Sequence, residues 1–292
     1  MNMDLELLKS VDSFIWGPPL LALLVGTGIL LTCRLRLIQV FRLKKALSLI
    51  FSAQNNGEGD INSFKALCTA LAATIGTGNI VGVATAIHAG GPGALFWMWM
   101  AAFFGMATKY AEGLLAVKYR ETDANGHIAG GPMYYIKNGL GEKWKPLGTL
   151  FAVFGILVAY FGIGTFAQVN SIVEITQITM GVPVEWTAAI LTVLVAAVTI
   201  GGLQSISRVA EKIVPAMAVI YFLTTVGVIA YFWEDIPAAA TLVMESAFTG
   251  TAAAGGFLGA TVMMAIQNGV ARGVFSNESG LGSAPIAAAA AK

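Results

Sequence analysis

A glycine-rich string lies in the middle of an otherwise apolar stretch of the chain. Residues 74 to 79 read Thr-Ile-Gly-Thr-Gly-Asn and lie within the uncharged stretch 66–89. Gly costs up to about 1 kcal/mol relative to Ala in a helix, and Thr and Asn compete for backbone groups, so a helix break near Gly76 to Gly78 costs little. The alternative is an unbroken helix whose glycines form a packing face.

A break at this place would free backbone groups that could bind a ligand. Such groups are costly in a bilayer unless protein, a polar cavity or a ligand satisfies them. The N–H groups from about Thr77 to Asn79 would carry the positive end of the helix dipole and would suit a carboxylate. The carbonyls near Ala72 and Ile75 would suit a small hard cation.

A second apolar stretch, 255–275, contains adjacent amides at Gln267 and Asn268, followed by Gly269. Two amides within a membrane span are costly unless they are satisfied or functional. In the topology given below, this stretch and 66–89 cross in opposite directions, with their starts five spans apart. Two interrupted helices in this arrangement are typical of inverted-repeat transporters that bind their substrate near the membrane midplane.

Composition predicts that these stretches are membrane helices. Charged residues make up 11% of the chain and hydrophobic residues 57%, against about 25% and about 45–50% in soluble globular domains. The net charge of +1 gives no reason to expect nucleic-acid binding. Six uncharged stretches are long enough to cross a bilayer, and the longest is divided by the glycine-proline turn at residues 90 to 93. The sequence therefore predicts an all-α polytopic membrane protein with seven spans.

The basic residues predict the orientation of these spans. Thirteen of the 17 Lys and Arg residues fall in the segments 34–65, 118–146 and 202–212, which all lie on one side of the membrane. Positively charged loops face the cytoplasm, so these three loops are predicted to be cytoplasmic and the N-terminus to lie outside. We predict a multi-pass protein of the cell membrane.

The sequence gives no basis for an enzyme. The two histidines, His88 and His127, fall on opposite sides of the membrane in this topology, and no hydrolase, metalloprotease or P-loop motif is present. A passive channel would need a ring of charges or a repeated carbonyl filter, and neither is visible. A non-transporting membrane scaffold remains an alternative.

Three motifs resemble those of the alanine/glycine:cation symporters, the sodium:alanine symporter family within the amino acid-polyamine-organocation superfamily. They are the string from Gly90 to Gly105, the string Gly130-Gly131-Pro132-Met133-Tyr134-Tyr135-Ile136, and the Gly-Thr-Gly-Asn-Ile segment. The resemblance implies one membrane domain over 1–292, with the leucine-transporter-like fold of two inverted five-helix repeats. An extra N-terminal helix at 14–31 would precede the first repeat at 66–233. The second repeat would start at 255–292 and be truncated, with about four helices missing.

The resemblance also implies roles for particular residues. Within the string from Gly76 to Asn79, Thr77 and Gly78 match the positions whose N–H groups bind the substrate carboxylate. Ala72 and Ile75 match the positions whose carbonyls bind Na⁺. Gln267, Asn268 and Gly269 match the break in the sixth core helix, where the substrate amine and side chain bind. Phe166 and Gln168 are candidates for the pocket wall, with plain packing as the alternative.

The function implied is sodium-coupled symport of small neutral amino acids, alanine and glycine, into the cell by alternating access. No cofactor is expected; Na⁺, the amino acid and the lipid bilayer are the expected partners. The stretches 66–89 and 255–271 contain no carboxylate, which favours Na⁺ bound to carbonyls over a proton relay. Proton coupling remains an alternative.

Overall fold

The computed structural model describes residues 2–51, 59–161, 163–249 and 261–292, and this part of the chain is mostly helical. The helices, in chain order, are α1 (Asn2–Ile15), α2 (Pro18–Arg34), α3 (Ile38–Phe41), α4 (Leu43–Phe51), α5 (Ser63–Thr74), α6 (Val81–Gly90), α7 (Ala94–Lys118), α8 (Pro132–Leu140), α9 (Lys145–Phe161), α10 (Ile163–Met180), α11 (Val184–Thr199), α12 (Gly202–Tyr231), α13 (Ile236–Thr249), α14 (Val262–Asn277) and α15 (Ala284–Ala289). The strands β1 (Glu121–Thr122) and β2 (Ile128–Ala129) pair in an antiparallel hairpin between α7 and α8. The prediction of an all-α protein is thus confirmed as far as helix content is concerned, with one short hairpin as the strand structure of the described residues.

The chain forms two compact units. The first unit comprises Met1–Lys45, Gly78–Ala111 and Phe222–Leu281, and the second comprises Ala46–Thr77, Glu112–Tyr221 and Gly282–Lys292. Both units therefore contain segments that are far apart in the sequence.

Small residues allow close helix packing in the first unit. Gly269 is buried, and a Cβ at this position would overlap the carbonyl of Ala94 on α7. One turn further along α14, a Cβ at Gly273 would lie 3.0 Å from the Cβ of Ala101. Because a glycine stripe lets two backbones approach, α14 packs closely along α7. Trp97 Nε1 also donates to the carbonyl of Ala247 (3.2 Å), which ties α7 to the end of α13.

The predicted turn at residues 90 to 93 is confirmed. Helix α6 ends at Gly90, and α7 begins at Ala94. Gly91 has φ 72°, a conformation that favours glycine because a Cβ would clash with the backbone. Helix α7 then runs to Lys118.

The second unit is tied together by the end of the chain and the β1–β2 hairpin. Ile61 forms a parallel bridge with Ala291, just before α5. Arg120 Nη1 donates to the carbonyls of Ala289 (2.8 Å) and Ala291 (2.6 Å). Asp60 Oδ2 accepts from the N–H of Ile128 in β2 (3.0 Å), so the hairpin is held beside the start of α5. These bonds join three segments that lie far apart in the sequence: residues 60–61, 120–128 and 289–291.

By length and composition, two helical stretches of the described residues are apolar and long enough to cross a membrane, one of them α12. A third is counted if the helices on either side of the break between α5 and α6 form one bent span. Helices α2 and α11 are apolar but have only 17 and 16 residues. The total of seven spans, the orientation and the division into repeats stay predictions.

Two predicted boundaries are wrong. The segment 202–212, predicted as a loop, is the first part of the continuous helix α12. Its charges suggested a loop, yet Glu211 pairs with Lys65 Nζ at 3.4 Å and remains within the helix. The extra helix predicted at 14–31 begins at Pro18 and ends at Arg34, and a separate helix, α1, precedes it. Proline at the first helical positions starts a helix and cannot continue one, which explains the shift.

One further difference concerns the number of helices. Helix α13 occupies residues that the sequence left between two spans. The part of the second amide-containing stretch at 255–260, including the predicted start of the second repeat, also lies outside the described residues.

Candidate functional site

The first candidate element is the carbonyl end of α5. The helix begins with a side-chain cap, in which Asn62 Oδ1 accepts from the N–H of Lys65 (2.7 Å), and it ends at Thr74. Ile75 follows in an extended conformation, with φ −94° and ψ 103°, and its N–H still donates to the carbonyl of Leu71 (2.8 Å). The predicted helix break is therefore confirmed, and it begins at Ile75. Ala72 lies in the last turn before it.

The chain after the break forms a short 3₁₀ turn before the next α-helix. The turn comprises Thr77–Asn79, and α6 begins at Val81 with Ile80 as its N-cap. The α-helix is therefore interrupted between Thr74 and Val81. Because α6 begins at Val81, the positive end of its dipole lies a few residues after the predicted Thr77 to Asn79, and Ile80 has no side-chain oxygen to cap the first N–H groups. Gly76 and Gly78 favour a tight turn over an immediate helix start, which explains why α6 begins later than predicted.

In the second unit, Gln168 lies against the break. A Cβ placed at Gly76 would lie 3.2 Å from Gln168 Nε2, so the amide of this α10 side chain lies where a side chain at position 76 would begin. Phe166, two residues earlier, has 69% of its surface exposed. Of the two pocket-wall candidates, the structure brings only Gln168 to the break.

In the first unit, the neighbours of Gly78 are residues that the sequence analysis missed. A Cβ at Gly78 would lie 3.6 Å from the Cα of Ser276 and 3.7 Å from the ring of Phe275. Both residues belong to the last turns of α14. The sequence signal was weak, because a Phe-Ser pair next to the end of an apolar helix has no distinctive spacing.

The predicted second break is wrong at Gln267 to Gly269, since these residues lie within the continuous helix α14. The helix starts after Thr261, whose side chain accepts from the N–H of Met264 (3.2 Å). Asn268 Nδ2 donates to the carbonyl of Met264 (2.9 Å), so one N–H of its amide is bonded within its own helix. Asn268 precedes Ser276 by eight residues, or about 12 Å of helix, so the structure does not bring the amides to Gly78.

Gln267 faces a cavity of about 480 Å³ within the first unit. The cavity is lined by apolar and aromatic side chains from α2, α7, α13 and α14, among them Leu21, Val25, Trp97, Phe104 and Phe248, with Gln267 as the polar member of the lining. An unpaired charged group is costly in such surroundings. This cavity therefore suits an apolar group better than an amino acid carboxylate.

Two side chains in the segment between α7 and α9 have pKa values that are shifted by their surroundings. Asn138 Nδ2 donates to Glu121 Oε1 (2.9 Å) and keeps the pKa of that carboxyl below its usual value, with Lys137 Nζ at 3.3 Å contributing further. Burial, together with the nearby charge of Glu112, raises the pKa of Tyr135 to about 12. Tyr135 is therefore a neutral hydrogen-bonding group at physiological pH.

The chain is similar in sequence to proteins of one known family. The sequence profile of the sodium:alanine symporter family matches residues 1–292. The chain belongs to the sodium:alanine symporter family. An uncharacterized transporter of Haemophilus influenzae is 60% identical over 287 residues, which is 98% of this chain and 62% of that protein. The sodium/alanine symporter AgcS of Methanococcus maripaludis is 52% identical, over 98% of this chain and 63% of its own length.

A third relative, YrbD of Bacillus subtilis, is named as a candidate sodium/proton-dependent alanine carrier; it is 39% identical over 98% of this chain and 57% of its own length. The relatives of this family are transporters and not enzymes. The chain spans about three fifths of the length of the relatives that it matches.

Proposed function

We propose that the full-length protein carries out sodium-coupled symport of small neutral amino acids, alanine and glycine, into the cell by alternating access. The helix break between α5 and α6 is the observation that carries this proposal, because it occurs at the glycine string singled out from the sequence. Membership of the sodium:alanine symporter family and the name of AgcS support alanine and Na⁺ as the transported species.

The backbone at the break would bind the substrate and the ion. The N–H groups of Thr77 and Gly78, and those at the start of α6, would bind the carboxylate, with Gly76 and Asn79 shaping the turn. The carbonyls of Ala72 and Ile75 would bind Na⁺. Gln168, which lies against Gly76, would contribute an amide to the same region.

The remaining assignments form part of the proposal. Gln267, Asn268 and Gly269 are retained as candidates for contact with the amine and side chain of the substrate, although α14 is continuous there. The fold would be leucine-transporter-like, with the N-terminus outside and the loops 34–65 and 118–146 cytoplasmic. The charged part of α12, residues 202–212, would lie at the same surface.

Sodium coupling provides enough free energy for accumulation. A small neutral amino acid is a zwitterion, so the membrane potential alone does not concentrate it. One Na⁺ that moves inward releases about 2.3 kcal/mol per 100 mV, which corresponds to roughly fiftyfold accumulation of a coupled partner. Proton coupling is the second candidate, and the name of YrbD is the observation that favours it.

Uptake of labelled L-alanine by the full-length protein in proteoliposomes tests the coupling ion. We expect accumulation when an inward Na⁺ gradient and an inside-negative potential are imposed. A pH gradient in K⁺ alone should give none. Accumulation driven by the pH gradient without Na⁺ would replace the sodium proposal with the proton one. Equilibration without accumulation would indicate a passive channel, and no specific uptake or binding would indicate a scaffold.

A pair of glycine variants tests the binding site. At Gly78, a Cβ would make only ordinary contacts of 3.6 Å or more, so Gly78→Ala should fold. The methyl group would still crowd a carboxylate bound to the turn, and we expect alanine affinity to fall at least tenfold, or about 1.4 kcal/mol. Gly227→Ala in α12 is the matched control, because it lies outside the proposed site and a Cβ there meets nothing within 4 Å. Equal affinities in the two variants would place the substrate elsewhere.

A further inference from the structure

The segment that follows α2 carries a concentrated positive charge. Residues 34 to 45, hereafter the cationic turn, contain five basic residues, and no Asp or Glu occurs in the sequence between Asp12 and Glu58. All five basic residues are exposed, and the whole segment belongs to the first unit. They are Arg34, Arg36, Arg42, Lys44 and Lys45.

The backbone of the cationic turn is fixed by hydrogen bonds at the end of α2. The N–H of Arg36 donates to the carbonyl of Cys33 (3.1 Å), and that of Leu37 donates to the carbonyl of Thr32 (2.8 Å). This pair of bonds is a Schellman motif, whose left-handed position is usually glycine. Here Arg36 occupies it with φ 54°, and Leu37 follows with φ 52°. Gln39 Nε2 also donates to Thr32 Oγ1 (3.1 Å).

The left-handed backbone conformation of Arg36 is therefore energetically unfavourable for a residue that has a Cβ. A left-handed conformation costs a non-glycine residue about 1–2 kcal/mol, so glycine would give the more stable turn. The position is exposed, and Arg36 gains no compensating burial.

Apolar side chains alternate with the basic ones in the cationic turn. Val40 is 51% exposed, Phe41 74% and Leu43 52%. Phe41 and Leu43 flank Arg42 directly. Exposed apolar groups interleaved with Lys and Arg are typical of segments that lie in the membrane interface, where the apolar groups enter the acyl region and the cations meet phosphate groups.

We propose that the cationic turn binds the phosphate groups of anionic phospholipids at the cytoplasmic surface of the membrane. Clusters of four to eight basic residues directly after a membrane helix are attracted to anionic lipid surfaces, and α2 is an apolar helix that ends at Arg34. An acidic protein partner would explain the charges, but it would leave Val40, Phe41 and Leu43 without an apolar environment. The lipid surface accounts for both features.

The test uses the full-length protein in phosphatidylcholine bilayers that contain a trace of spin-labelled phosphatidylglycerol or spin-labelled phosphatidylcholine. The fraction of each label that is immobilised by the protein gives the relative affinity for the two headgroups. We expect a preference for phosphatidylglycerol that declines in high salt, because surface electrostatic attraction is screened. Equal immobilisation of the two labels would overturn the proposal.

Three variants assign the preference to the cationic turn. The variant Arg36→Gln/Arg42→Gln/Lys44→Gln should lower the preference at least fivefold, since each basic residue contributes about a factor of five near an anionic surface. Arg36→Lys/Arg42→Lys keeps the charge and should keep the preference. The control Lys143→Gln/Arg208→Gln/Lys212→Gln removes three other exposed basic residues and should lower the preference less than the Gln variant of the cationic turn.

Three results would contradict the assignment to a lipid surface. An unchanged preference in the Gln variant of the cationic turn, or an equal loss in the control, would show that the charges act only through the total charge or not at all. Displacement of the labelled lipid by millimolar glycerol phosphate would indicate a site for a small soluble anion instead of a lipid surface. If the cationic turn binds an acidic protein instead, the two labelled lipids should be immobilised equally.

Discussion

The contact between α7 and α14 predicts that Gly269→Ala destabilises the protein. Alanine is the better helix former, so in an unpacked helix this substitution would add about 1 kcal/mol of stability. At Gly269, however, the new Cβ would overlap the carbonyl of Ala94 and would lie 2.7 Å from the Cβ of Trp97. Both obstacles belong to backbone or to the first side-chain atom, so neither can move aside by a rotamer change.

The magnitude follows from these two opposing effects. Overpacking of a filled interface costs about 1–3 kcal/mol, and the rigid obstacles place Gly269→Ala near the upper limit. After the gain in helix propensity is subtracted, the expected loss is about 2 kcal/mol of unfolding free energy. The matched control is Gly227→Ala in α12, where a Cβ meets nothing within 4 Å, and we expect a gain there.

The assay is thermal unfolding of the full-length protein in detergent, with parent, Gly269→Ala and Gly227→Ala measured together. Gly269→Ala should lower the melting temperature by several degrees, since 1 kcal/mol corresponds to about 2–4 °C in proteins of 150–250 residues. Gly227→Ala should raise it. If Gly269→Ala is as stable as the parent, the packing of α14 on α7 is not what requires glycine at this position.

Three further predictions concern the second unit. The phenol of Tyr135 has a pKa of about 12 in the folded state and about 10 when unfolded, so its ionisation favours unfolding as the pH rises from about 10 to about 12. Tyr135→Phe should therefore flatten the decline in stability over that range. Melting temperatures measured between about pH 10 and pH 12 test this. A double-mutant cycle on Lys65 and Glu211, with their partly buried pair at 3.4 Å, should give a coupling of up to about 1 kcal/mol that decreases in salt; zero coupling at low salt would contradict it. Arg120→Gln should lower unfolding free energy by about 2 kcal/mol through loss of its bonds to the carbonyls of Ala289 and Ala291, and an unchanged denaturation midpoint would speak against them.

The break between α5 and α6 could be predicted because its causes are local. Gly76 and Gly78 lower helix propensity within one turn, and the apolar flanks make the interruption visible. The turn at Gly91 was predictable for the same reason, since a positive φ there is specified by residue type. Features encoded within a few residues can be identified without a structure.

The errors occurred where tertiary or side-chain contacts decide the outcome. Glu211 suggested a loop, but its partner Lys65 lies 146 positions earlier in the chain, and no local pattern reveals that pair. Asn268 suggested a break, but its side chain donates a hydrogen bond to the carbonyl of Met264 within a continuous helix. The contact of Gly78 with Phe275 likewise depends on how α14 packs, and the sequence does not specify it.

The β1–β2 hairpin offers a place to attach a reporter to the full-length protein. Its tip, around Ala124, is exposed, and the turn is closed by the N–H of Gly126 donating to the carbonyl of Asp123 (3.0 Å). Short insertions are tolerated best at exposed tips with small polar residues, so a peptide epitope after Ala124 should leave the fold intact. Antibody access to that epitope in intact and in permeabilised cells would then read out on which side of the membrane the hairpin lies.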